Sequence, residues 1–277
     1  MLTNRELERY GRQIALFGEE AQERLTSATV IAGAGGLGCP AALYLAAAGI
    51  GEIRLVDGDV VDRTNLNRQV LHADRDVGRA KVESAAGKLR ALNPEITVVA
   101  TCASIDAENA AALVGGADLI IDATDNFPVR YILNRAALGA RVPLIHGAVR
   151  GFDGQATTIV PGRTACLECV FPVAPPAEGA TPVVGTTPGI IGLVQANEAI
   201  KYITGTGDLL LDRLLVWDGR AATMTTLPVE RQRLQRVWRQ PVLKRGEEEC
   251  RFGSGLSPGC GRPSGGISRS RFPRGRR

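Results

Sequence analysis

Residues 29–38 read Thr-Val-Ile-Ala-Gly-Ala-Gly-Gly-Leu-Gly, four strand-forming residues running straight into a glycine-rich turn. Gly33, Gly35 and Gly38 fit the spacing G-x-G-x-x-G. Glycines at these places permit a tight turn and let backbone come close to a phosphate. The alanine-rich stretch from Cys39 to Ala48 reads as the helix that follows, with Gly49 placed to cap its end. A helix start of this kind offers free N–H groups and a partial positive charge to an anion. Glu52 to Asp57 reads as the next strand, and Asp57 stands where an acid can hold ribose hydroxyls.

Outward from this unit the pattern repeats. Helices are expected over 81–92, 106–114 and 128–138, each followed by a strand, at 96–100, 118–122 and 143–148. Upstream, Thr3 and Glu6 form a capping-box pair before a helical pattern, and a second short helix spans Glu19 to Leu25. Strands alternating with helices over short links imply a mostly parallel sheet covered on both faces, a doubly wound α/β fold of the Rossmann-like kind. After Gly147 the rhythm changes. Gln155 to Val160 reads as a strand, 188–204 as a helix, and Leu214–Asp218 with Ala222–Leu227 as a hairpin around Asp218-Gly219. These give the sheet an antiparallel C-terminal extension. Residues 171–188 hold five prolines and are expected to form an extended loop. One domain is expected over 1–245, and the Gly/Arg/Ser-rich tail over 246–277 is expected to be disordered.

Composition narrows the function. The 277 residues are 44% apolar and 22% charged, a balance that buries a proper core, and no run approaches a membrane span. The net charge of +4 sits in the tail: 261–277 holds six arginines and no acid, and subtracting them leaves −2. The body therefore shows no basic signature for nucleic acid. Two histidines, His72 and His146, are too few for a multi-histidine metal site. Six cysteines with no apolar leader at the start point to a reducing, cytoplasmic setting, in which close cysteine pairs bind metal more often than they form disulfides.

On the glycine loop alone the first reading is an NAD-linked oxidoreductase. The segment that follows shifts the balance. Residues 57–72 read DGDVVDRTNLNRQVLH, and Lys81 lies nine residues further on. Asp57, Asp59, Arg68 and Lys81 gather near the carboxyl ends of the strands, where ligands bind in such sheets. Arg68 and Lys81 can neutralise the oxygens of a triphosphate, and an oxidoreductase needs no such cluster there. The fourth strand ends in Asp122-Ala123-Thr124-Asp125-Asn126, with Arg130 one turn on. A carboxylate here can hold Mg²⁺ against phosphates, while Thr124, Asp125 and Asn126 are also good helix caps.

In order and spacing, Arg9-Tyr10-Gly11-Arg12-Gln13, GAGGLG at 33–38, LVDGD at 55–59, NLNRQ at 65–69, VGRAK at 77–81, DATDN at 122–126, CLEC at 166–169 and PGIIGLVQANEAIKYI at 188–203 resemble the ThiF/MoeB/HesA family, the prokaryotic relatives of ubiquitin-activating enzymes. The resemblance covers residues 1 to about 235. It implies an ATP-dependent adenylyltransferase that activates the C-terminal glycine carboxylate of a ubiquitin-like sulfur-carrier protein ending in Gly-Gly. The activated carrier would serve sulfur transfer in thiamine, molybdopterin or related cofactor synthesis, with sulfur supplied by a separate sulfurtransferase. By position, Asp57 would bind ribose and Gly36 would approach the nucleotide. Arg68, Gln69 and Lys81 would line the phosphates beside Asn67, and Asp125 would hold Mg²⁺. Arg12 would reach the ATP of a second subunit, which implies a homodimer. The nucleotide set is then Gly33, Gly35, Gly36, Gly38, Asp57, Asp59, Asn67, Arg68, Gln69, Lys81, Asp125 and Asn126, with Arg12, Arg68, Lys81 and Asp125 carrying catalysis. A tRNA-modifying ATP-dependent relative and a non-catalytic scaffold are the remaining alternatives.

Many such proteins hold a structural zinc with two C-x-x-C pairs. Cys166 and Cys169 supply the first, but past Leu227 only Cys250 and Cys260 stand, ten apart, so zinc stays an open expectation. The loop 171–189 holds no cysteine, which leaves a covalent acyl step through it without a nucleophile. Cys39 and Cys102 are expected to be small buried apolar residues, His146 a structural histidine at a strand end, and His72 a flank of the nucleotide.

Overall fold

A computed structural model describes residues 1–174 and 182–231. Cys250, Cys260, the domain limit at 245 and the tail over 246–277 lie outside the described residues, as does part of the proline-rich loop.

The chain opens with two helices, α1 (Asn4–Phe17) and α2 (Glu19–Ser27). The capping box forms as expected: the Thr3 hydroxyl accepts the Glu6 N–H, and the Glu6 carboxylate accepts the Thr3 N–H. Strand β1 (Thr29–Ala32), helix α3 (Gly38–Ala48) and strand β2 (Glu52–Val56) form the first unit around the glycine loop. Next come α4 (Lys81–Leu92), β3 (Thr97–Thr101), α5 (Ala110–Val114), β4 (Leu119–Asp122), α6 (Phe127–Ala140) and β5 (Leu144–Arg150). The antiparallel part holds β6 (Asp153–Ile159), the short α7 (Leu167–Val170), α8 (Thr186–Thr204), β7 (Arg213–Asp218) and β8 (Thr223–Pro228).

One eight-stranded sheet runs in the order β3-β2-β1-β4-β5-β6-β7-β8. The pairs among β1 to β5 are parallel, and those from β5 through β8 are antiparallel. From β1 the chain winds outward through β2 and β3, then crosses back and winds the other way through β4 and β5. A crevice opens at that reversal, outside the carboxyl ends of the strands.

Alternation along the strands feeds two cores. Val30, Ile53, Leu119 and Ile121 face α3, α4 and α8 on one side. Ile31, Val56, Ile120 and Leu144 face α5, α6 and α7 on the other. Helix α3 is apolar all round, with Ala41, Ala42, Leu45 and Ala46 fully buried, because α8 covers the side that the sheet does not. The two helices meet closely: a Cβ at Gly192 would lie 2.5 Å from the Leu37 carbonyl oxygen.

Two expectations are corrected. The helix expected over 106–114 is only Ala110–Val114. Asp106 Oδ1 accepts the N–H groups of Glu108 and Asn109 and makes a turn in place of the first helical turn. Cys102 is exposed, not buried. It lies just past β3, the edge strand of the sheet, where among the described residues no neighbouring strand covers it.

Candidate active site

A cleft of about 660 Å³ opens at the carboxyl ends of β1, β2 and β4. Gly33, Gly35 and Gly36 form one wall, and a Cβ at Gly35 would meet nothing within 4 Å, so the loop backbone faces open space. Gly38 lies beneath the loop and does not line the cleft; a Cβ there would sit 2.0 Å from the Gly33 carbonyl oxygen. The Ala34 peptide is held from both sides. Its N–H donates to Asp57 Oδ2 at 3.3 Å, and His72 Nε2 bonds its carbonyl oxygen at 3.0 Å. His72 Nδ1 then accepts the Ser84 hydroxyl at 3.0 Å. Burial lowers the His72 pKa, so the ring is neutral and acts as a brace between α4 and the glycine loop. Cys39 donates to the same carbonyl; burial pushes its thiol to about 12, which makes it inert.

Two cations line the same cleft, and Arg68 packs beside Gly36 of the loop. Lys81 starts α4, its side chain is 7% exposed, and Nζ lies 2.7 Å from Asp59 Oδ2. Asp59 is largely exposed, so it can yield this ammonium to a stronger anion without itself leaving water. The half-buried Arg68 donates to the Thr64 carbonyl and to Asn67 Oδ1. Asn67 therefore steers Arg68 and does not itself line the cleft. Gln69 lines the cleft, and its buried Oε1 has no partner among the described residues. A buried acceptor left open on the cleft can take a hydrogen bond from a ligand donor such as a hydroxyl.

Another wall is the 123–126 turn. Asp125 is exposed on it and accepts the Asn126 Nδ2–H at 3.1 Å. Asn126 also caps α6, since its Oδ1 accepts the Val129 N–H. Asp122 is fully buried and so unavailable to a ligand. One of its oxygens accepts the Thr124 N–H and hydroxyl, and the other lies 2.7 Å from His146 Nδ1. Burial lowers the His146 pKa and keeps the ring neutral. Burial works against the Asp122 carboxylate, yet the bonds from His146 and Thr124 hold its pKa below the ordinary value. Arg130 is buried against the cleft, with its guanidinium 5.0 Å from the Phe127 ring centroid and one amino group on the Thr124 carbonyl. Arg130 and Thr124 line the cleft as well, although the sequence offers Thr124 only as a helix cap and names neither as a site residue.

Arg12 is exposed on α1 and does not line the cleft. Cys166 and Cys169 are also away from it, in the core beneath α6. Their sulfurs are 3.6 Å apart, close to the edge of about 3.8 Å that a tetrahedral zinc–thiolate site would have. Among the described residues no group of three or more His, Cys, Asp or Glu is placed to hold a metal ion.

A crevice at the reversal of a doubly wound sheet, lined by a glycine-rich loop and by Lys81, Arg68 and Arg130, is the mark of a nucleotide-binding protein. The chain belongs to the ThiF family, whose model matches residues 10–237. It is 47% identical over 231 residues to a SAMP-activating enzyme E1 of Haloferax volcanii, a match covering 80% of this chain and 85% of that protein. It is 42% identical over 240 residues to the adenylyltransferase and sulfurtransferase MOCS3 of Drosophila sechellia, which covers 84% of this chain and 53% of the relative. The chain thus spans about half the length of the MOCS3 proteins it matches. Among solved structures, E. coli MccB with ATP superposes with a TM-score of 0.72 at 27% identity, covering 84% of this chain and 74% of MccB. The microcin C7 biosynthetic enzyme MccB in complex with N-formylated MccA gives 0.74 at 27%, covering 82% and 73%.

Proposed function

We propose that this chain is an ATP-dependent adenylyltransferase acting on the C-terminal glycine carboxylate of a ubiquitin-like sulfur-carrier protein. The observation that carries the reading is that Lys81, Arg68 and the Asp125 carboxylate line one cleft with the glycine loop, Arg68 packing beside Gly36. A carboxylate is a poor acyl donor, and joining it to AMP supplies a leaving group. The carrier's carboxylate oxygen bonds to the α-phosphorus, the bond to the β-phosphate breaks, and pyrophosphate departs. Electrostatic stabilisation and positioning carry most of such a reaction. Lys81 and Arg68 supply the charge for the departing pyrophosphate, and Asp57 stands where it can hold the ribose. The names of the relatives support the carrier as substrate: one is an E1-type activating enzyme and another couples adenylyl and sulfur transfer. The loop 171–189 holds no cysteine, so sulfur would come from a separate sulfurtransferase.

Asp125 suits Mg²⁺, because this ion is usually held by one or two carboxylates together with substrate phosphates. Mg²⁺ there would draw off charge from the phosphate oxygens. Zinc at Cys166 and Cys169 fits in sulfur spacing and needs two further ligands from outside the described residues. A homodimer that brings Arg12 to a partner's cleft fits its exposed place on α1. Titration calorimetry tests the nucleotide reading. We expect Mg·ATP to bind and NADH not to, and Lys81→Ala to weaken catalysis about 10²-fold or more, as loss of one preorganised donor does. NADH binding without ATP binding would restore the oxidoreductase reading.

A further inference from the structure

We propose that His146, which does not touch the cleft, is a positioning residue for adenylation: it fixes the Asp122 carboxylate, and Asp122 in turn builds the turn that presents Asp125. The inference deepens the reading above and rests on Asp125 holding the metal ion.

The 123–126 turn is short, and both of its ends are anchored to buried groups. At the near end, Asp122 and His146 are paired neighbours on β4 and β5, and both side chains are fully buried. Asp122 uses each oxygen differently. Oδ2 takes the His146 Nδ1–H, and Oδ1 takes both the N–H and the hydroxyl of Thr124. Its main-chain carbonyl is held too, by Gln195 Nε2 at 2.8 Å. At the far end, Phe127 begins α6 under the Arg130 guanidinium, which bonds the Thr124 carbonyl. Phe171 joins the two ends, with its ring centroid 5.5 Å from Phe127 and 6.0 Å from His146. Asp125 is thus a carboxylate on a turn whose direction is set below it.

His146 is costly as a filler. The ring is neutral with its proton on Nδ1, so Nε2 is a bare acceptor, buried and without a partner among the described residues. An apolar ring would pack beside Phe171 without that cost. What an apolar ring lacks is the donor to Asp122. Without it Oδ2 would be an unpaired buried oxygen, and the carboxylate would be free to turn away from Thr124. Residues that orient a metal-holding carboxylate from behind commonly change metal affinity about 10- to 100-fold when removed.

The test measures Mn²⁺, a paramagnetic stand-in for Mg²⁺, binding to the full chain by electron paramagnetic resonance with a non-hydrolysable ATP analogue present. Binding of the analogue without metal is measured alongside. We expect His146→Phe to weaken Mn²⁺ about tenfold or more and to leave metal-free analogue binding unchanged. His146→Asn, which keeps an N–H donor near the place of Nδ1, should restore most of the Mn²⁺ affinity. Thr124→Val removes only the hydroxyl that meets Asp122; it should weaken Mn²⁺ in the same way and decides the matter if His146→Phe does not fold. Equal losses of Mn²⁺ and analogue in both His146 variants would show a merely structural residue and overturn the inference. So would wild-type Mn²⁺ affinity in His146→Phe and Thr124→Val when Asp125→Ala has lost it. Unchanged Mn²⁺ affinity in Asp125→Ala would overturn the Asp125 reading itself, and the inference with it.

Discussion

Asp76 shows how a single carboxylate ties the polar run to the core. It is 1% exposed, accepts the Ala73 N–H, and is paired with both Arg79 and Lys88. Burial pushes its pKa up, but the Lys88 ammonium and the Ala73 N–H outweigh it and hold the group at about 2, below the ordinary 3.8. A depressed carboxylate stabilises the fold above its unfolded value. That contribution is full above about pH 4 and is lost as pH falls toward 2. Asp76→Asn should cost about 2 kcal/mol at neutral pH in urea unfolding and flatten the acid limb of the stability profile. A variant with the wild-type acid limb would contradict this. Lys88 also holds the Ser84 hydroxyl that braces His72, so Asp76 lies at the far end of the chain of contacts that reaches the glycine loop. Nothing in the spacing of Asp76, Ser84 and His72 along the sequence shows this chain, because it forms only when α4 packs against α3 and the loop. That Asp57, Arg68, Lys81 and Asp125 come together at one cleft was legible, because charged residues cluster on either side of recognisable turns. Its inner supports, Asp122 with His146 and Arg130 with Thr124, were not. Their roles come from strand neighbours 24 residues apart and from a buried arginine that sequence spacing places on a helix surface.

At the level of elements, the glycine loop depends on the helix that leaves it. Helix α3 ends at Gly49, whose φ is +86°, and a Cβ there would fall 2.4 Å from the Tyr10 ring. Tyr10 is buried and its hydroxyl accepts the Asn93 Nδ2–H, so the ring cannot give way. Gly49→Ala combines a left-handed backbone with a clash, and we expect a loss of about 2 kcal/mol or more in thermal or urea unfolding. A variant within about 0.5 kcal/mol of wild type would show that the contact between α1 and α3 is looser than described. The sequence identified α3 and its cap because alanines and a terminal glycine leave few alternatives. It misjudged 106–114, where a side chain of Asp106 competes with the helix for the same N–H groups.

At the scale of the whole molecule, the sheet reversal makes the cleft; the parallel pairing of β1 to β5 follows from alternation that the sequence displays openly, while the strand order is seen only in the fold. What lies beyond one chain is less visible. Arg12 is exposed on α1, outside its own cleft, so its proposed role needs a second copy of the chain. If it serves a partner's site, Arg12→Ala and Lys81→Ala are each strongly impaired alone but recover activity on mixing, because a mixed dimer holds one site with both residues intact. Absence of recovery after subunit exchange would confine Arg12 to its own chain. The central claim is that this cleft joins a protein's terminal carboxylate to AMP. Exchange of labelled pyrophosphate into ATP measures that step directly, with ubiquitin-like carriers ending in Gly-Gly offered one at a time. We expect exchange that requires Mg²⁺ and one such carrier and that disappears when the carrier's terminal glycine is removed. Exchange that never rises above background with any carrier, or that proceeds equally with the truncated one, would contradict it.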